Sequence, residues 1–311
     1  MHLSRVYSLF HGYIVRKSKH TLRMPNTAYT TFCRLLFIGC LASTVGCTQQ
    51  QENSHQTDEN VWSIDFFDDF DHFNAENWQD QRIWVNNETH AYVPDGLYNT
   101  REVSDGSLKI RVVKLDAPIS SDTYDKFGNP HPPTVYVAGR ICSKNRKEFI
   151  QGKWTARLKL HTSGEPSQFP AWWILGAQNN ESPVQEENEN VCWPLYGSGE
   201  IDIFEHHGDY TATEFTSGAI VSLDSCDKGD WWSARKNTET TLTEYHEYSV
   251  EWEDDDLVYR LDGNEIYRNI GMGATYSEPM FAILNYAKIT DSDMTTPWTM
   301  EVDWVKHEKR N

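Results

Sequence analysis

Long helical hydrophobic periods are missing from this sequence, which excludes a helical bundle. Internal repeats are missing as well, and no composition shift marks a second folded domain, so a single domain of roughly 250 residues is expected. The one strongly apolar run, LLFIGCLASTVGC (35–47), is too short for a transmembrane helix. Basic charge is scarce. There are 28 Lys/Arg against 46 Asp/Glu, and six of the basic residues lie in the first 47, which hold no acid. The remainder sets 22 basic against 46 acidic residues. Such a surface repels nucleic acid and anionic membranes, so neither is expected as a partner. It also disfavours a heavily sulfated ligand. Cysteine is sparse, with six in the chain. No H-E-x-x-H zinc pattern occurs.

What is present begins with a basic segment, Arg16 to Arg34, followed by the apolar run and then by Cys47. This arrangement resembles a bacterial lipoprotein signal with Cys47 as the lipidated residue. The expected organisation is a signal segment over 1–47, a polar tether over 48–60 and the folded domain over 61–311. It places the domain outside the cytoplasm, in the cell envelope as a lipoprotein or secreted, with the lipid as its only membrane link. Cys142, Cys192 and Cys226 remain, an odd count with room for one disulfide. A Cys192–Cys226 bridge would clamp the segments around residues 199–205, although the sequence does not fix that pair.

From Val61 onward short β-forming runs alternate with turns: SLKIRVVKL, GKWTARLKLHT, AWWILG, YHEYSVEWE, DLVYRLDG, PMFAILNY and WTMEVDWVKHE. Asp105-Gly106 and Asp262-Gly263-Asn264 punctuate them. With 38% hydrophobic and 13% aromatic residues, the pattern predicts an all-β sandwich.

Residues 199–208 read GEIDIFEHHG. Period two puts Glu200 and Asp202 on one strand face and Ile201 and Ile203 on the other. Glu205 breaks this alternation. One extra residue at Ile203–Phe204, a β-bulge, would return it to the acidic face, and bulges recur beside active sites. His207 would then share that face, with His206 opposite. Three acids on one face repel one another, which a purely structural strand disfavours. A metal site using Glu205 and His207 is a second reading of the cluster.

The E-x-D-x-x-E pattern resembles glycoside hydrolase family 16 in its bulged form, the laminarinase, agarase and carrageenase branches. Four further collinear segments agree: WVNNETHAY (84–92), YVAGRICSK (136–144), FPAWWILG (169–176), and FAILN with MEVDWVKHE near the end. The resemblance implies a concanavalin-like β-jelly-roll sandwich with a concave substrate cleft, acting as a retaining endo-glycanase without a catalytic cofactor. It implies Glu200 as nucleophile, Glu205 as acid/base and Asp202 between them, tuning both. Asn86, Arg140 and Trp173 are the implied sugar contacts. His207, from its place on the acidic face, is a further candidate to hydrogen-bond sugar, although the family usually has an aromatic residue after the last Glu where His206 and His207 follow here. Trp84, Trp172, Trp231 and Trp232 are further aromatic candidates, since sugar rings offer apolar C–H faces. Trp172 and Trp173 point to opposite faces, so one of the two belongs to the core. Asp69, the Gly106 carbonyl and Asp303 match positions of a structural calcium in family members, and surface acidity accounts for them equally well.

The substrate expected first is a β-1,3-glucan such as laminarin, met by a monomer. Second stands a marine galactan or another acidic or sulfated glycan, for which Lys288, Arg140 and the two His could supply charge. A non-catalytic carbohydrate-binding protein on the same fold is the third reading.

Overall fold

A computed structural model describes residues 62–86, 88–189, 191–193, 197–222, 231–237 and 240–311, with Trp231 and Trp232 described by backbone alone. The signal, Cys47, tether and Cys226 expectations lie outside the described residues, as do the Trp231 and Trp232 side chains. The described residues belong to one compact unit. Among the described residues, no helix is long and apolar enough to cross a membrane.

The unit is a sandwich of a ten-stranded and an eight-stranded sheet. Among the described strands, pairing is antiparallel except where Ala91–Tyr92 runs parallel to Thr134–Ala138; the isolated bridges Asn179–Val191 and Gly197–Tyr276 are parallel too. The long strands Trp298–Arg310, Gly152–Leu160 and Ser107–Ile119 lie side by side in the larger sheet. The smaller sheet runs Trp231–Asn237, Phe215–Val221, Gly199–Glu205, Gln168–Gly176, Met280–Lys288, Arg140–Cys142 and Gln79–Asp80. All seven β-forming runs of the sequence are strands. Asp105-Gly106 and Asp262-Gly263 turn with φ of 55° and 69°, and of 49° and 77°, the left-handed pair that a tight hairpin turn requires.

Alternation decides what fills the space between the sheets. On Gln168–Gly176 the even positions Trp172 and Ile174 enter the core, and Trp172 meets Trp154 edge to face at 6.1 Å. Its indole N–H donates to the Tyr248 carbonyl at 3.3 Å. Burial of each such aromatic is worth roughly 1.5–3 kcal/mol. Trp172 is therefore a core residue and not a sugar contact. At the edge, buried Asp68 accepts hydrogen bonds from Phe70 N, Asn77 Nδ2 and Trp78 Nε1, which tie the end of Trp62–Asp68 to the loop after it.

Cys142 is a buried free thiol, and Cys192 is disulfide-bonded.

Candidate active site

The acidic strand Gly199–Glu205 carries the bulge that its spacing predicts. On one side Trp173 pairs with Asp202 while Trp172 pairs with Phe204, and on the other the register shifts between Asp202 and Glu205. Ile203 and Phe204 consequently both enter the core. The Ile203 carbonyl, displaced from the ladder, accepts a hydrogen bond from Ser217 Oγ at 2.8 Å. Glu205 comes to lie opposite Ala171 and Thr216, and Asp202 opposite Trp173 and Gly218. Directly opposed residues share a face, so Glu200, Asp202, Glu205, Trp173 and Phe169 stand together on the outer face.

Electrostatics follow from this crowding. Burial, then Glu205 and Glu181, pushes the Glu200 carboxyl up; the Trp193 indole N–H and Arg140 oppose that shift. Asp202, 3% exposed, is raised by burial and by both glutamates. Burial raises Glu205 to about 7. The face can therefore hold protons at neutral pH, which ordinary carboxyls do not.

Beside the acids, Trp173 donates its indole N–H to Asn285 Oδ1 at 2.8 Å, and Asn285 Nδ2 donates to the Tyr92 hydroxyl at 3.2 Å. Arg140 lies 5.0 Å from the Trp173 ring centre. Its guanidinium is already committed, donating to Gln81 Oε1 at 2.6 Å and to Glu181 Oε2 at 3.0 Å. Buried Glu88 receives the Tyr92 hydroxyl at 3.4 Å, and burial pushes its carboxyl to about 8 against the pull of Arg140. Lys144 Nζ donates to the Asn179 and Glu181 carbonyls, which fixes the segment after Gly176 across this part of the sheet. Asn285, Trp193 and Glu181 escaped the sequence reading. Period two on Met280–Lys288 would have put Asn285 on the outer face, whereas loop residues Glu181 and Trp193 carry no such signal.

The histidines separate. His206 is fully buried: its Nε2 accepts from Gly164 N–H at 3.1 Å, so Nδ1 carries the proton to the Glu214 carbonyl at 2.7 Å. His207 stacks on Phe169 at 4.4 Å and meets Tyr210 at 5.0 Å, and burial lowers it to about 4. Both are neutral at pH 7. Lys288 does not reach the outer face either. It is 0% exposed, 4.1 Å from the Tyr136 ring centre, and its ammonium donates to the Thr290 carbonyl. The cations expected to bind an acidic sugar are thus buried, neutral or paired. Asn86 is exposed with φ of 53° on the loop before Glu88.

Asp303 is ion-paired to Arg157, so its carboxylate already has a cationic partner. Among the described residues, no group of three His, Cys, Asp or Glu is placed to hold a metal.

No family model matches the chain. It is 25% identical over 250 residues to glucan endo-1,3-beta-glucosidase A1 of Niallia circulans, covering 72% of this chain and 32% of that protein. It is 25% identical over 249 residues to a beta-glucanase of Rhodothermus marinus, covering 77% and 73% of the two. The chain thus spans about a third of the first relative's length. Among solved structures it is similar to LamAcat from Zobellia galactanivorans, with TM-score 0.67 and 28% identity over 79% of this chain and 98% of that one. A LamA variant in complex with laminaritriose and laminaritetraose matches with TM-score 0.67 and 27% identity, over 79% and 99%. In its sandwich and its bulged acidic strand the chain is similar to these laminarinases and endo-1,3-beta-glucanases, in keeping with its resemblance to glycoside hydrolase family 16.

Proposed function

We propose that the chain is a retaining, endo-acting glycoside hydrolase of β-1,3-glucan, with Glu200 as nucleophile and Glu205 as acid/base. The observation that carries this reading is the bulge, which brings Glu205 onto the face of Glu200 and Asp202. Retention needs two carboxyls about 5–5.5 Å apart on either side of the scissile bond. Both carboxyls are raised by burial in the free protein, Glu200 to about 8 and Glu205 to about 7. The roles, Glu200 as the attacking carboxylate and Glu205 as the proton donor, follow the resemblance of the E-x-D-x-x-E motif to family 16 and not these shifts. Glu200 would attack the anomeric carbon while Glu205 protonates the departing oxygen. Glu205 would then take a proton from the water that releases the sugar from Glu200. Asp202, held neutral between them, can donate a hydrogen bond to whichever glutamate is charged.

A neutral glucan suits this face better than a sulfated one. Lys288 and His206 are buried, His207 is neutral and Arg140 is paired to Glu181. Trp173, with Asn285 and Arg140 at its edge, would bind sugar on one side of the acids, and the Phe169–His207–Tyr210 group would bind it beyond Glu205. The LamA complex with laminari-oligosaccharides supports the same substrate class.

We extend the proposal to location: the protein is extracytoplasmic, held through lipid on Cys47, as the basic segment and apolar run before that residue suggest. Cys47→Ser should then release it from membranes. Product sizing on laminarin, mixed-linkage glucan, agarose, porphyran and κ-carrageenan, with Glu200→Gln as blank, tests the activity. Short laminarin oligosaccharides are expected. Cleavage of a galactan alone would overturn the substrate, and equal release by wild type and variant would leave only a carbohydrate-binding protein.

A further inference from the structure

Between Ile119 and Thr134 the chain leaves the larger sheet in a hairpin whose tip carries two bared aromatics, Tyr124 at 60% and Phe127 at 79% exposure. The tip is built firmly. Asp125 Oδ1 accepts from Phe127 N and Asn129 N, Asp125 Oδ2 accepts from Asn129 Nδ2, and Asp125 N donates to the Asn129 carbonyl. Its base is fastened to the loop that leads toward the acids. His131 Nε2 donates to the His90 carbonyl at 2.9 Å, Thr134 Oγ1 to the Thr89 carbonyl at 2.7 Å, and Arg82 pairs with Asp122.

From there contacts run unbroken to the catalytic face. The His131 ring meets Trp84 at 4.7 Å. Trp84 Nε1 donates to the Glu88 carbonyl at 3.0 Å, the Tyr92 hydroxyl to the Glu88 carboxyl, and Asn285 to Tyr92. Asn285 in turn receives Trp173, which stands opposite Asp202.

We propose that this hairpin is an outlying sugar-binding wall, where Tyr124 and Phe127 take the apolar face of a neutral glucan chain running past the catalytic cleft. The inference rests on the glycanase reading and adds a site remote from the chemistry. Exposed aromatics on a rigid support lose little entropy on binding and offer the C–H faces of sugars a matching surface. The acidic surface argues against an anionic membrane as occupant, and continuity with Trp84 and Trp173 argues for the chain that those residues would also touch.

The test uses Glu200→Gln protein, with and without Tyr124→Ala/Phe127→Ala, on the polysaccharide that wild type cleaves in the panel above. Titration calorimetry compares polymer with its tetrasaccharide. The double alanine variant should weaken polymer binding fivefold or more and bring the polymer-to-tetrasaccharide affinity ratio toward one. The aromatic swap Tyr124→Phe/Phe127→Tyr should restore it. An unchanged ratio overturns the proposal, whether both affinities hold or both fall. So does an effect confined to sedimentation behaviour or vesicle binding. Failure of the glycanase reading shows separately, as no cleavage anywhere in the panel.

Discussion

Glu205 stands on the same sheet face as Glu200 although five positions separate them. An odd separation on a regular strand would put them on opposite faces. The extra residue at Ile203–Phe204 is therefore what makes a catalytic pair feasible, and the predictions below turn on it.

Ser217 holds the bulge by bonding the Ile203 carbonyl. Ser217→Ala leaves that buried acceptor unpaired, a cost of about 1–3 kcal/mol. Urea unfolding should show that loss, and kcat should fall with KM little changed.

Glu205→Gln should lower kcat/KM on laminarin by roughly 10²–10⁴, the usual worth of a general acid. An aryl glycoside with an acidic leaving group needs no proton for departure, so its first step should be nearly spared in a burst experiment. Glu200→Gln should spare neither substrate.

The raised carboxyls also make stability depend on pH. An acid whose folded pKa exceeds its unfolded value, near 4, contributes stability that is present below the unfolded pKa and lost as pH rises through the folded one. Glu200, Asp202 and Glu205 are all raised, so Tm should fall between about pH 5 and pH 8. Asp202→Asn should reverse part of that fall while lowering activity. A gain of about 1 kcal/mol at pH 8 would raise Tm by roughly 2–4 °C, with no gain at pH 4. Calorimetry across pH checks both signs.

Salt separates neutral from charged substrates. If Lys288, His206, His207 and Arg140 are as withdrawn as their contacts indicate, kcat/KM on laminarin should change less than twofold from 50 to 500 mM NaCl. A sulfated substrate would show a steep fall through screening.

Arg157 on Asp303 leads to a last expectation. Dialysis against EDTA should leave Tm unchanged, and added calcium should not raise it. A rise of several degrees with calcium would mean that Arg157 yields Asp303 to the ion.

Much of the site was legible because strand alternation is a strict rule. The spacing of Glu200, Asp202 and Glu205 revealed the bulge, and parity separated Trp172 from Trp173. Parity to Phe169 and the family pattern favoured Trp173 for the cleft, while Trp172 was wrongly kept as a sugar-contact candidate. Parity carried past the strand end gave His207 the outer face and His206 the opposite one, which the stacking of His207 on Phe169 and the burial of His206 match, but it could not give the loop contacts that His206 makes. Nor could it tell that Lys288, on the core side of its strand, would be sealed beneath Tyr136. Glu181 and Trp193 reach the acids from a long loop held by Lys144, a placement set by tertiary contacts and not by local pattern.

The most direct test of the account follows the first seconds of laminarin hydrolysis by proton NMR, before mutarotation. The two-carboxylate mechanism predicts that new reducing ends appear first as the β-anomer, with Glu200→Gln silent. Initial appearance of the α-anomer, or full activity in Glu200→Gln, would contradict it.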